Sequence, residues 1–347
     1  MAERTGRTYG AVVIAALVVG LATGCSDAPA EQDTAGDAGS GRADVPGASV
    51  PFELVATDQL TVSPDGSEVL ADCWNGICRW DTATGSLELV PDRGSVAVAP
   101  DWSTVATVDG ADVVLEDLDS GEPVRDLRGP TGAGVTDGSS VTAVAYSPDG
   151  SMVAAATHAD EGGGEAVTVW TVGDGSEVAT LETGSEVHTL AFSPDGEQIA
   201  TAGNGPVEVH DIDGGDTILE SADGGTVVWS PDGRMLLGPG PGSQPVVWDT
   251  RTWEKLDELA VPDLHEAAFA PDSTTVAVTT LRATTVALWD VDGEEAVHLG
   301  AHATAPGAVA WSPDGAVLYS VSAEDGVLAW DTEGDLSDVS FELPEGP

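Results

Sequence analysis

The stretch Val141-Thr142-Ala143-Val144-Ala145-Tyr146-Ser147-Pro148-Asp149-Gly150-Ser151-Met152-Val153-Ala154-Ala155-Ala156 decides the fold. Two short apolar runs flank Ser-Pro-Asp-Gly. Proline presets the angle of the second turn residue, Asp tolerates and hydrogen-bonds the bend, and Gly supplies the positive φ that lets the chain reverse. The unit is therefore a hairpin corner between two strands. The same corner, or a close variant, recurs with its proline at Pro64, Pro100, Pro148, Pro194, Pro231, Pro271 and Pro313, at spacings of 36, 48, 46, 37, 40 and 42 residues. That period suits four-stranded propeller blades and not helical solenoids.

Outward from the corner, Ala166 to Trp170 is a third run and Glu177 to Leu181 a fourth, so four strands make one unit. The third run ends in Trp80-Asp81, Trp170-Thr171, Trp248-Asp249, Trp289-Asp290 and Trp330-Asp331, with Leu115-Glu116-Asp117 and Val209-His210-Asp211 in the same place elsewhere. With 43 glycines and 21 prolines in 347 residues, and abundant Val and Thr, the composition suits many short strands in one repeated array. These residues resemble the WD-repeat family over about residues 51 to 344. The resemblance implies an all-β, seven-bladed β-propeller of four-stranded antiparallel blades at residues 51–347. It also implies a buried hydrogen-bonded set of His, Ser or Thr, Asp and Trp. Only the last blade approaches that set, with His302, Ser322, Glu324 or Asp325, and Trp330. Tyr146, Phe192, Trp229, Phe269 and Trp311, just before their corners, read as core residues between neighbouring sheets. The outer strand that closes the ring is either Phe52 to Val55 or Ser340 to Leu343.

The first residues are a different object. Arg4 and Arg7 precede the apolar Ala11 to Leu21, and Leu21-Ala22-Thr23-Gly24-Cys25 follows. The apolar stretch is too short to span a bilayer and reads as an export signal. Small residues before a cysteine resemble the lipobox of bacterial lipoproteins, which implies a signal peptide at 1–24 and Cys25 as the lipidated (palmitate-carrying) first residue of the mature chain. Residues 26–50 lack Ile, Leu, Met and aromatic side chains, so 25–50 reads as a disordered acidic tether, roughly 25 to 30 Å in span. The expected location is extracytoplasmic, anchored to the bacterial cell membrane by lipid.

Two cysteines remain, in Cys73-Trp74-Asn75-Gly76-Ile77-Cys78. Asn-Gly is a strong hairpin signal and places Trp74 opposite Ile77, with Cys73 opposite Cys78 as a cross-strand disulfide. A two-cysteine metal clip is the alternative, though neither a second cysteine pair nor a nearby histidine supports it.

Without residues 1–24 the chain carries 9 basic and 59 acidic residues, a formal charge of −50. Such a surface repels phosphate backbones, so no nucleic-acid partner is expected. Catalytic signatures are poor: His265-Glu266-Ala267-Ala268-Phe269 stops short of the zinc-protease pattern, and neither a nucleophile elbow nor a phosphate loop occurs. The chain is read as a monomer that is not an enzyme, with no cofactor and no resident metal.

The enlarged spacings come from two neighbouring loops, Gly129 to Ser140 and His158 to Glu165, on the face that WD-repeat rings commonly use for partners. They are either surface insertions or binding elements. Five residues before each corner, where strands enter the channel, stand Asp58, Gly94, Thr142, His188, Gly225, His265 and Gly307. His188 and His265 match one another two blades apart, a spacing open to a metal, a pH-sensing role or plain solvated imidazoles. Candidate partner-binding residues are thus Asp58, Thr142, His158, Asp160, Glu161, His188 and His265. The function expected is a surface-exposed, lipid-anchored protein-interaction scaffold. The alternative is an extracytoplasmic propeller enzyme (lactonase- or lyase-like) or ligand sensor using central-channel residues.

Overall fold

The computed structural model describes residues 15–16, 60–73, 76–91, 97–109, 112–127, 140–158, 165–214, 216–219, 221, 224–241, 244–261, 264–291, 297–331 and 341. The lipidation site Cys25, the tether, both ring-closing alternatives except Phe341, and the candidates Asp58, Asp160 and Glu161 lie outside the described residues. Seven antiparallel meanders form a closed ring. Blade 3 is representative: Ser140–Tyr146, Met152–His158, Ala166–Thr171 and Glu177–Glu182 run from the inner strand to the outer. Blade 4 is Val187–Phe192, Gln198–Gly203, Glu208–Asp211 and Asp216–Ile218, with Ala15–Ala16 paired along its inner edge. Blade 7 shows three described strands, Pro306–Trp311, Val317–Ser322 and Gly326–Asp331. The fold is the all-β, seven-bladed ring that the repeats imply.

Each corner uses its sequence as its chemistry requires. In blade 3, Ser147 Oγ donates to Asp149 Oδ1 at 2.7 Å and accepts from the Met152 N–H at 2.9 Å. The Gly150 N–H returns to the Ser147 carbonyl with φ at +70°. The Ser–Asp contact repeats at the corners of blades 1, 4, 5 and 7. In blades 2 and 6, Trp102 and Ser273 hold the positive φ, at 58° and 64°, that glycine takes elsewhere. The third-strand ends also stand in register: Trp80, Glu116, Trp170, His210, Trp248, Trp289 and Trp330 each face one apolar second-strand residue, from Val69 to Leu318.

The core lies between the blades. Among the described residues there are seven apolar clusters, and each joins two adjacent blades, the last joining blade 7 to blade 1 through Tyr319, Val321, Val62 and Trp80. Both faces of every sheet are therefore buried, which is why Val141–Tyr146 is apolar at nearly every position and does not alternate. The pre-corner aromatics span these seams. Tyr146 Oη is 3.0 Å from Thr104 Oγ1 of blade 2, Trp229 Nε1 donates to the Ala191 carbonyl of blade 4 at 3.1 Å, and Trp311 Nε1 donates to the Ala268 carbonyl of blade 6 at 3.1 Å. Burial pushes the Tyr146 hydroxyl up to about 12. Phe341 packs edge-on against Tyr319 of blade 7 with ring centroids 6.2 Å apart.

Two expectations need correction. Cys73 and Cys78 do form the disulfide, with Cα atoms 5.7 Å apart, but Cys73 faces Gly76 and Cys78 faces Ala71. The bridge is diagonal because Gly76 already belongs to the returning strand and takes the place opposite Cys73, which sets Cys78 two residues further along. In blade 7 the hydroxyl shared by His302 and Trp330 is Ser320 and not the expected Ser322, which instead donates to Asp325 Oδ2 at 3.4 Å, and the acid beside His302 is Asp325. Position along the strand explains it: Ser320 and Ser322 share a sheet face with Trp330, but Trp330 pairs with Leu318, which leaves Ser320 one step from the indole and Ser322 two.

Candidate functional site

The face that carries the inner-strand entries and the second-to-third-strand loops holds most of the buried polar chemistry. In blade 7, His302 Nε2 lies 2.7 Å from Ser320 Oγ, which also accepts from Trp330 Nε1 at 2.7 Å. Asp325 Oδ2 sits 3.4 Å from His302 Nδ1 and accepts the Ala303 N–H. Burial holds the His302 pKa below its ordinary value, and the Asp325 carboxylate works against that shift. The set is structural: three side chains with almost no exposure tie the blade entry to the second and third strands.

Blade 4 fills the same places differently. His210 stands where Trp330 stands, and Glu208 Oε2 is 3.3 Å from its Nε2 and accepts from the Gly184 N–H at 3.4 Å. Both side chains are buried. The Glu208 carboxylate packs directly on Gly184, and a Cβ there would lie 2.8 Å from Oε1 and push that side-chain end aside.

Four of the matched positions five residues before the corners, those of blades 3, 4, 6 and 7, fall at β-bulges. The register shifts between Val141 and Ala143, between Val187 and Thr189, between Leu264 and Ala267, and between Pro306 and Ala308. Thr142, His188, His265 and Gly307 are thus the extra residues, re-aimed by the bulge at the strand entry. Thr142 is buried and its Oγ1 donates to the Ala156 carbonyl at 3.4 Å, a strap within blade 3. His188 and His265 are half-buried in blades 4 and 6, and the structure shows no contact between them.

His188 instead converges with His158 on one carboxylate. His158 Nδ1 lies 2.8 Å from Glu165 Oε1 and 3.9 Å from Glu186 Oε1, and His188 Nε2 lies 3.7 Å from Glu186 Oε2. Asn204 Nδ2 donates to Glu186 Oε2 at 2.7 Å. This row crosses the seam between blades 3 and 4, beside the ends of both long loops. Of the candidates read from the sequence, the structure brings together His158 and His188. It adds Glu165, Glu186 and Asn204, which no repeat or motif marked. Among the described residues no group of three or more His, Cys, Asp or Glu side chains surrounds a metal position.

With this geometry in hand, the relatives are informative about fold. Residues 121–162, 175–205 and 293–331 match the family model described as WD domain, G-beta repeat. The chain is a seven-bladed β-propeller that carries WD40 repeats in three places. No curated protein matches it. Among solved structures, a chain of Kuenenia stuttgartiensis hydrazine synthase is similar with a TM-score of 0.64 and 18% identity, over 84% of this chain and 100% of that one. A chain of a mitotic checkpoint complex is similar with a TM-score of 0.65 and 19% identity, over 85% and 96%. At such identities the shared property is the fold.

Proposed function

We propose that this chain is an exported protein-interaction scaffold, held at the bacterial cell surface by lipid on Cys25 and presenting the propeller face at blades 3 and 4 to a protein partner. WD40 propellers commonly bind proteins, and the checkpoint-complex likeness is to a propeller found in a multiprotein assembly. The observation that carries the reading is the polar row His158–Glu165–Glu186–His188 at the one seam flanked by both enlarged loops. A rigid ring offers such a row with little ordering cost on binding, so a few anchors suffice for affinity. The leader, the lipobox-like Leu21 to Cys25 and the tether support the anchored location.

Cross-linking in native cells tests this. One membrane or surface protein should be recovered with the wild-type chain, and deletion of Gly129 to Ser140 should reduce its recovery. Unchanged recovery would remove this face from consideration. Labelling with a radioactive fatty acid should be lost on Cys25→Ser, and retained label would refute the anchor. A stoichiometric metal in purified protein, bound beside His188 and His265, would favour the enzyme reading instead.

A further inference from the structure

The chain contains two asparagines, Asn75 and Asn204, and each is followed by glycine. Asparagine is a thermolabile residue, and a following glycine, which has no Cβ, leaves its own nitrogen unhindered. Asn75 lies outside the described residues. Asn204 is exposed in the loop after the second strand of blade 4 and is tied twice to Glu186. Its N–H donates to the Glu186 carbonyl at 2.9 Å, and its Nδ2 donates to Glu186 Oε2 at 2.7 Å. The next nitrogen along the chain, that of Gly205, makes no hydrogen bond among the described residues. A carboxamide open to water therefore precedes a backbone nitrogen with no competing bond.

The same amide positions the Glu186 side chain. His158 Nδ1 lies 3.9 Å from Glu186 Oε1 and His188 Nε2 lies 3.7 Å from Oε2, so among these contacts only the Asn204 bond is at full hydrogen-bond distance. The carboxylate in turn holds the carboxamide, which must be free to turn toward the Gly205 nitrogen before it can react.

We propose that Asn204 is a covalent modification site, which deamidates without an enzyme and thereby loosens the entry of blade 4. The Gly205 nitrogen closes on Asn204 Cγ, the Cγ–Nδ2 bond breaks, and the proton displaced from Gly205 leaves with Nδ2 as ammonia. Water then adds to the cyclic imide. Opening at Cγ gives aspartate, and opening at the backbone carbonyl gives isoaspartate, which inserts a methylene into the main chain. Aspartate replaces a donor to Glu186 by a second carboxylate, and two like charges so placed repel. Isoaspartate also displaces the N–H that met the Glu186 carbonyl. No partner takes part, so the proposal stands apart from the interaction reading above.

The test holds the purified chain in warm, mildly alkaline buffer and then cleaves it after glutamate, which releases residues 198–208 as one peptide. That peptide should gain the mass of an amide turned into an acid, and an isoaspartate-specific methyltransferase should label it. Glu186→Ala frees the carboxamide, so conversion at Asn204 should quicken at least about three-fold while Asn75 keeps its wild-type rate. Asn204→Asp carries the aspartate product from the start. Its backbone amides at positions 203 and 204 should exchange hydrogen about ten-fold faster than in wild type, with blade 7 unchanged. Failure of the 198–208 peptide to convert, an unchanged rate in Glu186→Ala, or wild-type exchange in Asn204→Asp would each overturn the proposal.

Discussion

Blades 7 and 4 occupy the same template and fasten it with different atoms. Blade 7 ties its entry to its second and third strands through His302, Ser320 and Trp330, all shielded from water. Blade 4 places His210 where the tryptophan belongs and uses the Glu208 carboxylate to hold the backbone of Gly184, an exposed residue. The first arrangement is closed to water, with His302 Nδ1 making no hydrogen bond and lying 3.4 Å from Asp325 Oδ2. The second leaves its end open to solvent, beside the seam that carries the surface chemistry. A propeller therefore does not need one fastening in every blade, because the apolar clusters between blades carry most of the stability.

The sharpest break in this comparison is Ser320→Ala. It strands the Trp330 indole N–H and one His302 nitrogen in a dry site, with an expected loss of about 3 kcal/mol in chemical denaturation. Glu208→Ala should cost less, about 1.5 kcal/mol, because water replaces the carboxylate at Gly184. Equal losses would mean that the blade 4 end is as closed as that of blade 7.

Acid should separate the two kinds of group as well. His302 has a lower pKa folded than unfolded, because of burial, so its share of stability is present above its unfolded value and is lost as pH falls below about 6.5. Asp65, held down to about 2 by the Ser67 and Ser63 hydrogen bonds, and Asp174, held down to about 2 by Thr171 and Ser176, act in the same direction between about pH 4 and about 2. Thermal midpoints should fall in two stages on acidification, and His302→Gln should shrink the upper stage only. A single stage, or an upper stage untouched by that change, would show that the buried imidazole does not contribute.

The smallest effect is a control on the comparison. Gly196 and Gly315 sit at the corners of blades 4 and 7 with φ of +74° and +72°. An added Cβ would meet only ordinary contacts, so each change to Ala should cost about 1 kcal/mol of backbone strain. A clear difference between the two in melting temperature would mean that the blades differ in more than their fastenings.

Most of the fold was legible because a corner is local chemistry. Ser63, Pro64, Asp65 and Gly66 need only their neighbours to form a turn, and seven copies fix the blade number. The disulfide partners were legible by count, but not their register, since a loop shifted by one residue moves every opposite pair. The site was legible only in part. His158 and His188 were visible as features of a long loop and of a matched position, while Glu165 and Glu186 looked like ordinary surface acids. The bulges at Thr142 and His188 left no mark, because an extra residue in a strand changes direction without changing composition.

By itself the sequence determined the blade count, the turn chemistry, the placement of Trp and Asp at strand ends, and the acidity of the stretch between Arg128 and Arg234, because each depends on residues near one another in the chain. The tertiary structure alone decided which apolar faces form each seam, which serine joins the His302 set, and that two histidines 30 residues apart share the Glu186 carboxylate. Those outcomes depend on how neighbouring sheets lie against each other, and a seam between two blades is a contact that no single repeat contains.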